Sequence, residues 1–129
     1  MAQHLALVAL LVPDYDTGIA YFTQKLGFDL LEDTDIGGGK RWVRVAPQGA
    51  QTAFLLAEAK GEQRDVIGQQ GGGRVWLFLH TDSFDADFAR MQAAGVTFAE
   101  EPRSESYGKV AVFTDDFGNR WDLLQLKTA

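Results

Sequence analysis

The chain of 129 residues contains no cysteine. That excludes thiol nucleophiles, disulfide exchange and thiolate metal sites. Histidine is scarce as well, at two in the chain, so any metal would have to be held largely by carboxylates. Basic residues are the minority, 12 against 18 acidic ones, and the formal net charge of -6 opposes non-specific contact with phosphate backbones and anionic lipid. Neither nucleic acid nor a membrane surface is expected as a partner. Long apolar runs are missing too, since none approaches the ~20 residues of a membrane-spanning helix. The start, Met1-Ala2-Gln3-His4, lacks the charged and apolar regions of a secretory signal, so a cytoplasmic protein is expected. What the chain does have is a composition of 46% hydrophobic and 23% charged residues, ordinary for a folded chain. A chain of this length buries about two-thirds of its unfolded surface, enough for one core without a disulfide or a metal.

Periodicity divides the sequence into two similar halves. Leu5 to Val12 is a short, continuous apolar run stopped by Pro13-Asp14, the pattern of a strand buried on both faces. Asp16 or Thr17 is placed to cap a helix carrying Ile19, Phe22 and Leu26 at helical spacing, with Gly27 to end it. Strands are predicted over 28–33, 41–46 and 52–57, separated by Gly37-Gly38-Gly39 and Gln48-Gly49. The second half repeats this order, with a strand over 74–81, a helix opened by Asp82-Ser83 and closed at Gly95, and strands over 96–100, 110–115 and 120–126. Asp14 recurs as Asp82 and Gly27 as Gly95, both at the same offset, so the chain reads as a duplicated module. The boundaries predicted for the single domain are a first module at 1–58, a Gly-rich linker at 59–73 and a second module at 74–129. The triple glycine Gly71-Gly72-Gly73 runs into a strand and lacks the Lys-Ser/Thr of a phosphate loop, so a linker role is preferred for it.

Two βαβββ units, with Val12-Pro13-Asp14 followed by Ala20-Tyr21-Phe22 and Leu26-Gly27-Phe28, resemble the opening of the vicinal oxygen chelate superfamily. This is the family of glyoxalase I, bleomycin-resistance proteins and extradiol dioxygenases. The second half adds Ala94-Gly95-Val96 and the stretch from Phe113 to Gln125, which is similar to the family's D-P-x-G-N-x-hydrophobic-E-L ending. The resemblance spans essentially the whole chain. It implies an α+β fold in which two modules form a cupped mixed sheet around a ligand cavity, helices outside, usually in a homodimer. The family's four metal-ligand positions fall on Leu7, Leu55, Trp76 and Asp122. Only Asp122 carries a metal-binding donor, so the resemblance implies a member with no metal site and no cofactor.

Alternation along strands then sorts side chains by face. If Trp76 faces the cup, so do Phe78 and His80, while Asp122 brings Leu124 inward and sends Trp121 and Leu123 to the helix side. Val43 and Val45 form the natural core face of their strand, which leaves Trp42 and Arg44 opposite, above an apolar floor of Leu7, Ala9, Leu11 and Leu55. Aromatic and aliphatic walls with a few polar groups suit a small-molecule ligand. His80 is either a base or ligand anchor, or a strand-end residue bonded to loop backbone. Arg44 is either an anion fork or the partner of Asp122 in an ion pair. Tyr107 lies in a loop that either covers the mouth or is plain surface, and Glu100-Glu101 reads as a solvated strand end.

Two functions from different classes fit. The first is a protein that binds a small, flat or aromatic compound, as the family's antibiotic-binding members do, with the acidic balance favouring a cationic one. The second is a metal-independent lyase, isomerase or epimerase with His80 or Asp122 as general base and Arg44 steadying an enolate or carboxylate. A base raised in pKa would favour the enzyme, and a neutral, apolar cup would favour binding. Metal-dependent glyoxalase or dioxygenase chemistry is disfavoured.

Overall fold

In a computed structural model that describes residues 1–128, the chain forms two compact units, Met1–Ile67 and a second beginning at Gly68. The first contains β1 (Leu7–Val12), α1 (Tyr15–Ala20), β2 (Asp29–Gly37), β3 (Lys40–Ala46) and β4 (Ala53–Glu58). The helix is capped by neither Asp16 nor Thr17. Asp14, the extended residue before α1, caps it: its carboxylate accepts from the Thr17 amide at 2.8 Å and from the Thr17 hydroxyl at 2.8 Å. After Ala20 the helix widens into a π turn over Tyr21–Lys25, and Gly27, with φ of 74°, leads the chain out. Its sheet runs in the order β1-β4-β3-β2, β1 and β4 being parallel and the other pairs antiparallel. Gly18 lets α1 approach this sheet closely, because a side chain there would press on Val12 and Leu56.

β2 outruns its predicted end by four residues, since the exposed stretch Thr34–Gly37 is held by pairing with β3 rather than by burial. At Leu30 and Leu31 the register slips by one residue, and both leucines of this edge strand are exposed. Between the sheets' strands, where an irregular linker was expected, Gly61–Val66 forms a 3-10 turn.

The second unit contains β5 (Val75–His80), α2 (Phe84–Ala93), β6 (Thr97–Phe98), β7 (Arg103–Glu105), β8 (Gly108–Thr114) and β9 (Arg120–Leu126). The sheet order is β5-β9-β8-β6, with β7 also on β8 and only the β5–β9 pair parallel. The strand expected over 96–100 is thus two residues long, and a further short strand follows it. Glu100 explains the gap: its Oε1 accepts from the Val112 amide at 3.1 Å, so a side chain replaces strand pairing there. Glu100 is therefore a structural acceptor and not merely a solvated end. Asp82 does not cap α2 either. The Phe84 amide donates to Oε1 of Gln125 at 2.8 Å, so β9 caps the helix.

Each unit has an aromatic core between helix and sheet. In the first, Phe22 meets Phe28 and Phe54; in the second, contacts run from Phe84 through Phe88, Phe98 and Phe113 to Trp121. Burying one such ring is worth roughly 1.5–3 kcal/mol. Among the described residues, no helix is long and apolar enough to cross a membrane.

Candidate functional site

Strand register decides which side chains share a face, because residues directly opposite one another project to the same side. In the first unit Arg44 stands opposite Leu55 and Glu32, Trp42 opposite Thr34, Leu55 beside Ala9, and Leu7 beside Ala53. Leu7, Trp42, Arg44 and Leu55 therefore lie on one face, with Val43 and Val45 fully buried on the other. Arg44 does not take Asp122 as its partner. Its Nε donates to Glu32 Oε1 at 2.9 Å on the neighbouring strand, and this bond holds the Glu32 carboxyl below its usual range. Residues directly opposite one another on neighbouring strands meet before distant groups can, and Glu32 is the register partner of Arg44.

A cavity of about 380 Å³ opens at one end of this sheet. The reason is local. β3 and β4 are paired at Arg44–Leu55 and Val45–Phe54 alone, so the start of β3 and the end of β4 are free to part. Trp42 and Leu55 line the cavity, together with Tyr15, Arg41, Ala57 and Glu58. Arg41 is a residue that sequence reasoning missed. Its guanidinium grips Asp33 with Nε at 3.0 Å and Nη2 at 2.7 Å, reaches Asp16 at 3.0 Å, and lies 5.2 Å from the centre of the Tyr15 ring. The hydrogen bonds to Asp33 and Asp16 hold Arg41 firmly protonated and depress the Asp33 pKa. Arg41 thus ties α1 to the β2–β3 hairpin and fixes one wall. Its position next to Trp42, at the start of a strand, was the available signal.

In the second unit, Phe78 is in register with Asp122 and His80 with Leu124 on the β5–β9 side, while Val112 faces Asp122 and Val110 faces Leu124 on the β8 side. Arg103 on β7 stands opposite Val110. One face therefore carries Phe78, His80, Arg103 and Asp122, and the other carries Trp121 and Leu123, both buried. Trp76 is the exception to alternation. It occupies a β-bulge between Val75 and Leu77, so its face does not follow from Phe78, and it packs against Gly71, where any side chain would collide with it. His80 and Phe78 are exposed, Phe78 at 60%. Tyr107 is an exposed residue of the turn between β7 and β8.

Asp122 is chemically the most unusual of these groups. Oδ1 is buried and receives no hydrogen bond, and desolvation, reinforced by the charge of Glu100, raises its pKa against the opposing pull of Arg103 and Arg120. Arg103 does not neutralise it directly, being held by both oxygens of Glu100 at 3.1 and 3.2 Å and by Glu105 at 2.7 Å. A divalent metal does not fit the positions that the resemblance assigns to it. Leu7 and Leu55 have no donor atom and the Trp76 indole only donates, leaving the single carboxylate of Asp122. Among the described residues, no three His, Asp or Glu side chains gather elsewhere as an alternative set.

Comparison with known proteins gives these surfaces their context. The chain is 52% identical over 129 residues to an uncharacterized protein of Shewanella frigidimarina, covering 98% of this chain and 96% of that one. Its fold is similar to the crystal structure of UcmS2, with a TM-score of 0.82 and 33% identity over 96% of this chain and 98% of that chain. It is similar also to TnmS3, an antibiotic binding protein from Streptomyces sp. CB03234, with a TM-score of 0.79 and 33% identity over 98% of each chain. The two mixed sheets, and a sequence that matches the family over residues 3–123, make this chain a member of the Glyoxalase/Bleomycin resistance protein/Dioxygenase superfamily.

Proposed function

We propose that the protein binds a small organic molecule, flat or aromatic in part, without a metal. The observation that carries this reading is the cavity beside Trp42: its volume lies within the roughly 300–1,000 Å³ typical of ligand sites, and it combines an indole and aliphatic walls with a few fixed charges. Similarity to an antibiotic binding protein supports the same reading. The net charge of -6 favours a cationic compound over an anionic one. A homodimer belongs to the proposal, on the family resemblance.

Tryptophan fluorescence tests it. A bound aromatic compound from a panel of aromatic acids and cationic antibiotics should quench emission, and quenching should fall in Trp42→Phe, whose indole lines the cavity. Trp121 is 2% exposed and stacked on Phe113 at 5.4 Å, so Trp121→Phe should keep the quenching response and lose stability instead. Quenching that vanishes only in Trp121→Phe would overturn the assignment of faces.

A second reading rests on the raised pKa of Asp122 and its place on one face with His80. A desolvated carboxylate is a stronger base than an exposed one, as proton abstraction by a metal-independent lyase, isomerase or epimerase would require. Turnover lost in Asp122→Asn and in His80→Gln, with binding retained, would favour it over simple binding.

A further inference from the structure

We propose that Asp122 is a hydrogen-bond anchor that selects aromatic ligands bearing an N–H or O–H group, in place of the metal that its family position would otherwise serve. The inference rests on the small-molecule reading above and concerns the Phe78–Asp122 face of the second unit rather than the cavity beside Trp42. Asp122 is a carboxylate without an internal donor. Among the described residues no hydrogen bond reaches it; Oδ1 is shut away from water, which leaves Oδ2 as the oxygen a ligand can reach. A carboxylate desolvated at one oxygen and unpaired at the other gains from a good donor at the second.

Arg120 and His80 make no hydrogen bond to Asp122, and the other donors nearby are already committed. Arg103 is held by Glu100 and Glu105, and the Val112 amide by Glu100. None of these donors reaches the Asp122 carboxylate, so a bound molecule can supply one. Access exists, because the Asp122 side chain is only partly buried while its register partner Phe78 is 60% exposed. Such an exposed ring in register with an unpartnered carboxylate suits a molecule that lays an aromatic face on Phe78 and turns a polar hydrogen toward Asp122. The neighbours Val110, Val112 and Leu124 on this face are buried and apolar and offer a ligand no competing acceptor, His80 and Arg103 being its other polar groups.

Two matched probe pairs test this, indole against 1-methylindole and 2-naphthol against 2-methoxynaphthalene, each differing by one donor hydrogen. Binding is followed by amide chemical shifts in the full chain, which also locate the probe. The donor-bearing member of a pair should bind about tenfold more tightly or better, the worth of one hydrogen bond to a charged acceptor. It should shift the amides of Phe78, Val112 and Asp122. In Asp122→Leu the preference should vanish while the methylated probe keeps or gains affinity, and preserved amide dispersion establishes that the variant is folded. Equal binding within both pairs in the wild type, or a preference that survives in Asp122→Leu, overturns the anchor and leaves the binding reading standing. No shift at these amides with any probe overturns the anchor, while the cavity beside Trp42 is judged separately by the fluorescence of Trp42.

Discussion

Three carboxyl groups show how burial and pairing pull titration in opposite directions. Glu32 and Asp33 have lowered pKa values through their hydrogen bonds to Arg44 and Arg41, so the stability they contribute is present at neutral pH and lost as pH falls through their folded-state values. Being exposed, they contribute little. Asp122 has the reverse sign. Its pKa is raised by desolvation, so the folded state holds the proton more tightly than the unfolded one, and stability falls as pH rises from about 4, the ordinary carboxylate value, through its folded-state value. Asp122→Asn should remove that fall. Thermal melts at several pH values between 4 and 7 should show the variant gaining on the wild type as pH rises. A constant offset across that range would mean that Asp122 does not titrate in the fold with a raised pKa.

Among secondary elements, the two helices begin differently although their sequences align at a fixed offset. Asp14 caps α1 from its own chain neighbourhood, whereas α2 takes its cap from Gln125, 41 positions away. Gln125→Ala should therefore cost about 1 kcal/mol, as loss of a cap or of one hydrogen bond does, and lower the melting temperature by roughly 3–5 °C. Asp82→Ala should cost less, since its carboxylate bonds only Ser83 at 3.1 Å and makes no contact with the α2 amides. Denaturant or thermal unfolding of both variants checks the order. The contrast also marks what the sequence could tell. β1, β3 and β9 were legible because apolar runs and alternation are local signals, and Gly27 and Gly95 because a positive φ favours glycine wherever it occurs. β7 was illegible because three polar residues become a strand only when β8 offers them partners, and the bulge at Trp76 because register is a property of two strands. The same limit applied to the site. Trp42, Arg44, Leu55, Phe78 and Asp122 could be sorted by face, but the partners of Arg44 and the wall built by Arg41 needed the neighbouring strand.

Across the whole molecule, the exposed edge strand β2 presents Leu30, Leu31 and Ile36 to solvent at 44, 46 and 52% exposure. A monomer tolerates scattered apolar residues, but an edge with unpaired backbone groups invites association unless charge protects it. Asp29, Asp33 and Asp35 supply charge on that strand, and a second copy is one way of covering the leucines. Light scattering at micromolar concentration should give twice 14.2 kDa for the homodimer proposed above. A species of 14.2 kDa would refute it.

The seam between β3 and β4 has a kinetic consequence. Two register pairs close it, against six between β1 and β4 and seven between β2 and β3, so it is the weakest join in its sheet. Thermal opening should start there, as an unzipping from the end at Lys40 and Glu58 that leaves the outer ladders shut. Amide hydrogens lining the gap in Lys40–Trp42 and Ala57–Glu58 should then exchange with deuterium far sooner than those of Val43, Val45 or Leu10. A molecule wedged beside Trp42 would act as a clasp on that zipper, slowing exchange at the gap in proportion to its occupancy and leaving the rest of the sheet as it was. Protection spread evenly over the sheet, or absent at the gap, would mean that the ligand is held elsewhere.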